Sequence, residues 1–179
     1  MMFDINKMQK QALFDRIKAV SNEATAKMIV YGTGAEEPNW IWVNETMRKM
    51  EEVFDEEALI RIRMDCQCGY GMEEKKALVR ELYESASNME EFADNEKAHH
   101  AGLFLENGEL YLSFPYCPCP MLADVDRLET KTWCYCTMGY SKKLFEDVWE
   151  CEVKVELLKS IKAGDDLCLM KIIPTADIW

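Results

Sequence analysis

The strongest constraint on the fold of this chain is a change in the spacing of apolar residues. Up to about residue 100, apolar side chains recur at helical intervals, which predicts amphipathic helices with one buried face. Beyond Ala101, residues 103–105 and 110–114 flank an Asn107-Gly108 pair, which is typical of a tight hairpin turn. The sequence therefore predicts an α+β fold, with N-terminal helices followed by a mainly antiparallel sheet that contains an inserted helix.

Helical spacing predicts helices over residues 4–30, 39–53, 56–63, 73–83 and 88–100. Gly32 and Gly34 are expected to end the first of these. The second is expected to bury a face that includes Trp40 and Val43. Two glycines and a cysteine pair predict a loop over residues 64–72.

The second half of the chain predicts strands separated by irregular segments. Two prolines exclude regular structure over residues 116–121, and residues 133–137 are predicted to be extended. A helix is expected over 141–149 with Ser141 as its N-cap. Strands are predicted over 153–157 and 167–173. We expect a single domain, residues 1–179, with a helical part (1–100) and a β-rich part (101–179) that carries a cysteine site.

Composition limits the function classes that the chain can serve. Its 179 residues are 49% apolar, enough to bury a core, and 33 acidic residues against 21 basic ones give a net charge of −12. Nucleic-acid affinity depends largely on Lys and Arg that replace counterions. We therefore do not expect a nucleic-acid partner.

Localisation follows from two absences in the sequence. No apolar run approaches the roughly 20 residues that a membrane helix needs, so no membrane association is expected. Residues 1–16 lack the basic start and apolar run of a secretory signal. We therefore expect a cytoplasmic protein whose thiols stay reduced. No pattern in the sequence predicts an oligomeric state.

Six of the eight cysteines form three Cys-x-Cys doublets: Cys66/Cys68, Cys117/Cys119 and Cys134/Cys136. Two sulfurs bound to one zinc ion approach each other to about 3.8 Å, given a Zn–S bond of about 2.3 Å and tetrahedral geometry. Residues i and i+2 of a strand lie nearly 7 Å apart, so a doublet chelates only where the backbone turns. The first two doublets offer such turns, whereas the third is predicted to lie on a strand with both thiols on one side.

Other interpretations of the cysteines remain open. Reduced cysteine is often a buried small hydrophobe, and Cys151 is expected in the core. A doublet could also form an easily reduced disulfide, or the thiols could hold an iron–sulfur cluster.

The remaining chemistry-bearing residues give weaker signals. His99 and His100 are expected at a helix end, where they stabilise the terminal carbonyls. Motifs of serine hydrolases and of nucleotide-binding loops are absent from the sequence. The tryptophans and methionines are expected mainly in the core. Aromatic residues beside the cysteines could instead line a small-molecule pocket, and these are Tyr116, Trp133, Tyr135 and Tyr140.

Residues 133–173 resemble the end of the 4-vinyl-reductase-like domains and of the related family that includes L-2-aminothiazoline-4-carboxylate hydrolases. The matching features are Trp133-Cys134, Gly139-Tyr140, a helix through Phe145 and Trp149, the strand 153–157, and a closing Gly164-Asp165-x-x-Cys168. The resemblance covers about a quarter of the chain. The N-terminal helices are similar to uncharacterised bacterial cysteine-rich proteins.

The resemblance implies a zinc site beside a small-molecule pocket, with Cys134 and Cys168 as ligands. Ser160 and Leu157 occupy the positions where that family has a cysteine and an acidic ligand. Cys117, Cys119 and Cys136 would then complete a rearranged site. The hydrolase branch implies a catalytic cysteine nucleophile as an alternative.

Overall fold

A computed structural model describes residues 4–32 and 37–179 of the chain, which form eight α-helices and four β-strands. Helices precede the sheet, and one helix is inserted between its second and third strands. The predicted α+β fold is therefore confirmed. In the described residues, no helix is long and apolar enough to cross a membrane.

The helices that precede the sheet are α1 (Ile5–Val20), α2 (Glu23–Tyr31), α3 (Asn39–Val53), α4 (Glu56–Met64), α5 (Met72–Glu84), α6 (Met89–Ala93) and α7 (Glu96–His100). The prediction of one helix over residues 4–30 is wrong. Asn22 has an extended backbone, and its side chain accepts a hydrogen bond from the Thr25 N–H at 2.9 Å, so a second helix begins there. The predicted stop at Gly34 lies outside the described residues.

Side-chain caps also divide the segment predicted as one helix over residues 88–100. Asn95 is extended and accepts from the Lys97 N–H at 2.9 Å, which starts α7 separately from α6. Helix α3 has the predicted bounds, but Trp40 is exposed and Trp42 is buried in its place. The indole N–H of Trp42 donates to the Val30 carbonyl at 2.8 Å, which satisfies its polar atom in the core.

The strands form one antiparallel sheet with the order β1-β2-β4-β3: β1 (Leu103–Glu106), β2 (Glu109–Phe114), β3 (Val153–Lys159) and β4 (Cys168–Pro174). Asn107 and Gly108 have φ angles of 53° and 78°, which suit the tight turn between β1 and β2. The predicted hairpin is therefore confirmed.

The prediction of a strand over residues 133–137 is wrong. A 3₁₀ turn (Thr132–Cys134) leads directly into helix α8 (Tyr135–Trp149). Ser141 is therefore inside the helix, and its hydroxyl donates to the Met170 sulfur at 3.6 Å instead of capping. Strand-favouring residues at 133–137 adopt this turn because packing of the buried Trp133 outweighs local preference.

The chain divides into two compact units. The first unit comprises residues 1–68, 117–137 and 162–164, and the second comprises 69–116, 138–161 and 165–179. The first unit buries Leu13, Ile17, Ile29, Trp42, Val43 and Trp133, and the second buries Leu82, Phe92, Leu103, Phe145, Val153 and Met170. The expectation of a single domain stays a prediction.

Candidate functional site

All three Cys-x-Cys doublets belong to the first unit. They come from separate stretches of chain: the end of α4, the segment before a 3₁₀ turn (Pro120–Leu122), and the start of α8. All eight cysteines of the chain are in the thiol form.

The first doublet begins where α4 ends. The Cys66 N–H donates to the Arg63 carbonyl at 3.0 Å, and the Cys66 thiol donates to the Ile62 carbonyl at 3.2 Å. The buried Gln9 side chain donates from Nε2 to the Cys66 carbonyl at 2.9 Å. These contacts fix Cys66 in the core of the first unit, where it is 1% exposed.

The second doublet lies in the proline-interrupted segment. Cys119 has an extended backbone, with φ −77° and ψ 116°, and Pro120 begins the following 3₁₀ turn. The prediction of extended geometry is confirmed for Cys119, whereas Pro120 and Met121, predicted to be irregular, belong to the 3₁₀ turn. Proline sets this conformation because it disfavours the helical region for the residue that precedes it.

The third doublet lies at a helix start rather than on a strand. Residues two positions apart on a helix point roughly 200° apart, so the prediction that Cys134 and Cys136 share one side is wrong. Cys134 is buried. The Cys136 thiol points to the first doublet and donates to the Cys66 carbonyl at 3.6 Å.

The thiols of the three doublets influence one another electrostatically. The pKa of Cys136 is raised to about 12, mainly by burial and to a smaller extent by the thiols of Cys119, Cys66 and Cys68, whose negative charges would repel a thiolate at Cys136. Burial likewise raises the pKa of Cys66 and of Cys119. Cys117 acts on Cys119 in the same direction. These three thiols are therefore neutral at pH 7, and Cys136 is influenced by members of both other doublets.

We define the thiol cluster as Cys136 together with the three cysteines whose thiols raise its pKa, which are Cys66, Cys68 and Cys119. The positively charged residue beside this cluster is Arg63. Its guanidinium lowers the pKa of Cys66, Cys119 and Cys136, against the larger effect of burial. The side chain is 0% exposed. Sequence reasoning missed it, although a signal was present. Arg63 occupies the buried stripe of α4 that Leu59, Ile62 and Cys66 define at helical spacing.

Trp133 holds the guanidinium in place. Arg63 lies 4.2 Å from the centroid of the Trp133 ring, and its Nη2 donates to the Trp133 carbonyl at 2.9 Å. Trp42 packs edge-on against Trp133, with ring centroids 5.8 Å apart. Trp133 is 1% exposed, so its side chain lies in the core of the first unit, next to Arg63.

Other predicted site residues are placed as follows. Tyr135 begins α8 in the first unit, while Tyr116, Tyr140 and Cys168 belong to the second unit. The Tyr140 hydroxyl donates to the Tyr70 carbonyl at 2.9 Å. The roles predicted for these residues, for Trp133 as a ligand contact, and for Cys117 and Cys134 as metal ligands stay predictions.

The thiol cluster does not already have the spacing of a metal site. Within residues 4–32 and 37–179, no three His, Cys, Asp or Glu side chains are arranged to hold a metal ion. The donor chemistry is nevertheless that of a soft-metal site, since thiols from three chain segments, those of Cys66, Cys119 and Cys136, lie near the buried Arg63.

Comparison with known proteins identifies the family of the chain and leaves its activity open. A search of curated proteins and a search of solved structures each found no match. One family model, that of DUF6144, described as a family of unknown function, matches residues 2–179. The chain therefore belongs to the DUF6144 family.

Proposed function

We propose that this protein is a cytoplasmic metal-binding protein whose first unit holds zinc through the thiol cluster. The observation that carries the proposal is that Cys136 lies close enough to the thiols of Cys66, Cys68 and Cys119 for each of them to raise its pKa. Each doublet contributes at least one thiol, which supplies the four sulfur ligands that structural zinc takes. Metal binding would deprotonate the thiols, and the proposal includes movement of the cysteine side chains onto the ion.

The raised pKa values favour a metal site over a cysteine nucleophile within this cluster. A reactive cysteine needs a lowered pKa so that the thiolate is present at neutral pH. Burial raises the pKa of Cys66, Cys119 and Cys136 instead. A bound cation overcomes this effect because it stabilises the thiolate directly.

The proposal extends to a small-molecule ligand near the centre. Its support is the resemblance of residues 133–173 to vinyl-reductase-like domains, together with aromatic residues that flank the doublets. Tyr135, which begins α8 in the first unit, is partly exposed, so it offers contact surface to a ligand from solvent.

An anaerobic titration with Co²⁺ tests the proposed zinc site. The reduced, metal-free chain should give tetrahedral ligand-field bands and thiolate charge-transfer absorbance that saturate at about one equivalent. Zn²⁺ should then displace Co²⁺ and remove the colour. Absence of these bands would contradict the proposal, and visible absorbance of the protein as isolated would favour an iron–sulfur cluster.

A further inference from the structure

The charge of Arg63 is not balanced by a carboxylate hydrogen bond in the described part of the chain. Its Nη2 donates to a neutral backbone carbonyl. Its Nε and Nη1 are buried and form no hydrogen bond of good geometry among the described residues, although the side chain lies close enough to the Cys66 thiol to lower the pKa of that thiol through a hydrogen bond. A buried charge without a compensating partner is strongly destabilising. A negative group beside the buried guanidinium would therefore stabilise it.

Two acidic residues of the first unit have partners other than Arg63. Asp65, two residues along the chain, lies 3.9 Å from Arg16 in an exposed ion pair. Glu51 accepts hydrogen bonds from the Thr130 and Thr132 hydroxyls, both at 2.5 Å. The guanidinium is close enough to Cys66, Cys119 and Cys136 to lower the pKa of each thiol.

A second buried N–H donor belongs to Trp133. Its indole N–H forms no hydrogen bond of good geometry in the described residues. It lies close enough to Cys119 to lower the pKa of that thiol through a side-chain hydrogen bond. The thiols of Cys66 and Cys136 donate to backbone carbonyls, while the N–H groups of Arg63 and Trp133 lie next to the thiols of Cys66 and Cys119. Thiolate sulfurs would accept hydrogen bonds from these N–H groups more strongly than neutral thiols do.

We infer that Arg63 is the counter-ion of the anionic metal–thiolate centre that forms when the thiol cluster binds a divalent ion. This inference rests on the proposed zinc site. A divalent ion with four thiolates carries a net charge of −2, which Arg63 halves from within the core. Nε and Nη1, which form no hydrogen bond of good geometry in the described residues, would donate to the thiolate sulfurs, and such charge-assisted hydrogen bonds are stronger than those to neutral thiols.

An arginine suits this role better than a lysine. Its planar guanidinium stacks on the Trp133 ring and is fixed by the bond to the Trp133 carbonyl, so its remaining donors have a set direction. Arg63 is thus a positioning residue that acts on the metal through its ligands.

The test compares Zn²⁺ affinity and thermal stability in the wild type and in Arg63→Met, Arg63→Lys and Arg63→Gln. Arg61→Met is the matched control, because Arg61 is exposed on the same helix. Arg63→Met should lower Zn²⁺ affinity by about 10- to 100-fold, as loss of an outer partner of a metal site does. The metal-free form of the same variant should be at least as thermally stable as the metal-free wild type, because it no longer buries an uncompensated charge.

Comparison of Arg63→Lys with Arg63→Gln separates the effect of the charge on Zn²⁺ affinity from the effect of side-chain packing. Arg63→Lys keeps the charge and should bind Zn²⁺ more tightly than Arg63→Gln, whether or not Arg63→Met folds. Arg61→Met should bind like the wild type. Equal affinity of Arg63→Lys and Arg63→Gln, or wild-type affinity in Arg63→Met, would overturn the inference and leave the zinc site intact. Failure of the wild type to bind Zn²⁺ would instead overturn the proposed function.

Discussion

The guanidinium of Arg63 lies 4.2 Å from the centre of the Trp133 ring and donates from Nη2 to the carbonyl of the same tryptophan. The two residues are 70 positions apart in sequence. They join the end of α4 to the turn that starts α8, and so bring Cys66 close to Cys136. This pairing gives the first unit a buried cation among thiols, on which the proposed metal centre depends.

Single substitutions should identify the metal ligands. Cys66→Ser, Cys119→Ser and Cys136→Ser should each lower Zn²⁺ affinity by more than about 100-fold, because a lost ligand costs more than a lost outer partner. The measurement is competition with a chromophoric chelator. Cys151→Ser is the control, since Cys151 belongs to the second unit. A cysteine whose replacement leaves affinity unchanged is not a ligand.

Alkaline pH should destabilise the metal-free protein through Cys136. Burial raises the pKa of this thiol from its ordinary 9.0 to about 12. Between pH 9 and pH 12 the unfolded chain loses the thiol proton while the folded chain keeps it. The stabilisation from the neutral buried thiol is therefore complete below pH 9 and is lost as the pH rises towards 12, by at most about 1.4 kcal/mol per pH unit.

Urea unfolding across this range, with metal removed by a chelator, checks the alkaline effect. Cys136→Ala has no group to titrate at this position, so its free energy of unfolding should fall less steeply than that of the wild type. If the free energy of unfolding of the two proteins fell equally with pH, Cys136 would have the same pKa in the folded and unfolded chains, which would contradict the prediction.

Glu51 should matter more to stability than its neighbour Glu52. Glu51 accepts hydrogen bonds from the Thr130 and Thr132 hydroxyls at 2.5 Å, and Thr132 is 4% exposed. Glu51→Ala leaves a buried hydroxyl without its acceptor and should lower the free energy of unfolding by about 1–3 kcal/mol. Glu52 is exposed and pairs with Arg48, so Glu52→Ala should cost less than about 0.5 kcal/mol. Similar losses in urea unfolding would contradict this assignment.

Gly102 should tolerate no side chain at the start of β1. Its φ is +87°, and an added Cβ would lie 2.0 Å from the Ser113 carbonyl oxygen, which belongs to the neighbouring strand β2. Gly102→Ala should cost more than the roughly 1–2 kcal/mol of left-handed strain alone. Gly71 has a φ of +65° and open space around its Cβ position, so Gly71→Ala should show only that strain. Equal thermal shifts in the two variants would contradict the steric argument.

Local signals made most of the fold predictable. Asn107-Gly108 determines the hairpin by its own backbone preference, and α3 follows from helical spacing alone. The break at Asn22 was missed because apolar residues recur at helical spacing on both sides of it. That spacing contains no information about Asn22, whose side chain caps the second helix. The turn at residues 132–134 was missed for another reason. It depends on packing of Trp133 against Trp42 and Arg63, which lie far away in sequence.

The sequence singled out the cysteines of the proposed site but not which of them lie together. Repeated Cys-x-Cys spacing drew attention to the thiols, but it does not say which doublets meet. The closeness of Cys136 to Cys66 arises from tertiary packing. Arg63 was overlooked because a charged residue is usually assigned to the solvent-exposed face of a helix. Here its side chain is fully buried beside the thiol cluster.

The metal content of untagged protein, purified under reducing conditions with zinc in the growth medium, tests the central claim most directly. Elemental analysis by mass spectrometry should find about one zinc ion per chain, and Cys136→Ser purified in parallel should lose most of it. Protein that is folded and reduced, yet carries no zinc above the level of a buffer blank, would contradict the account.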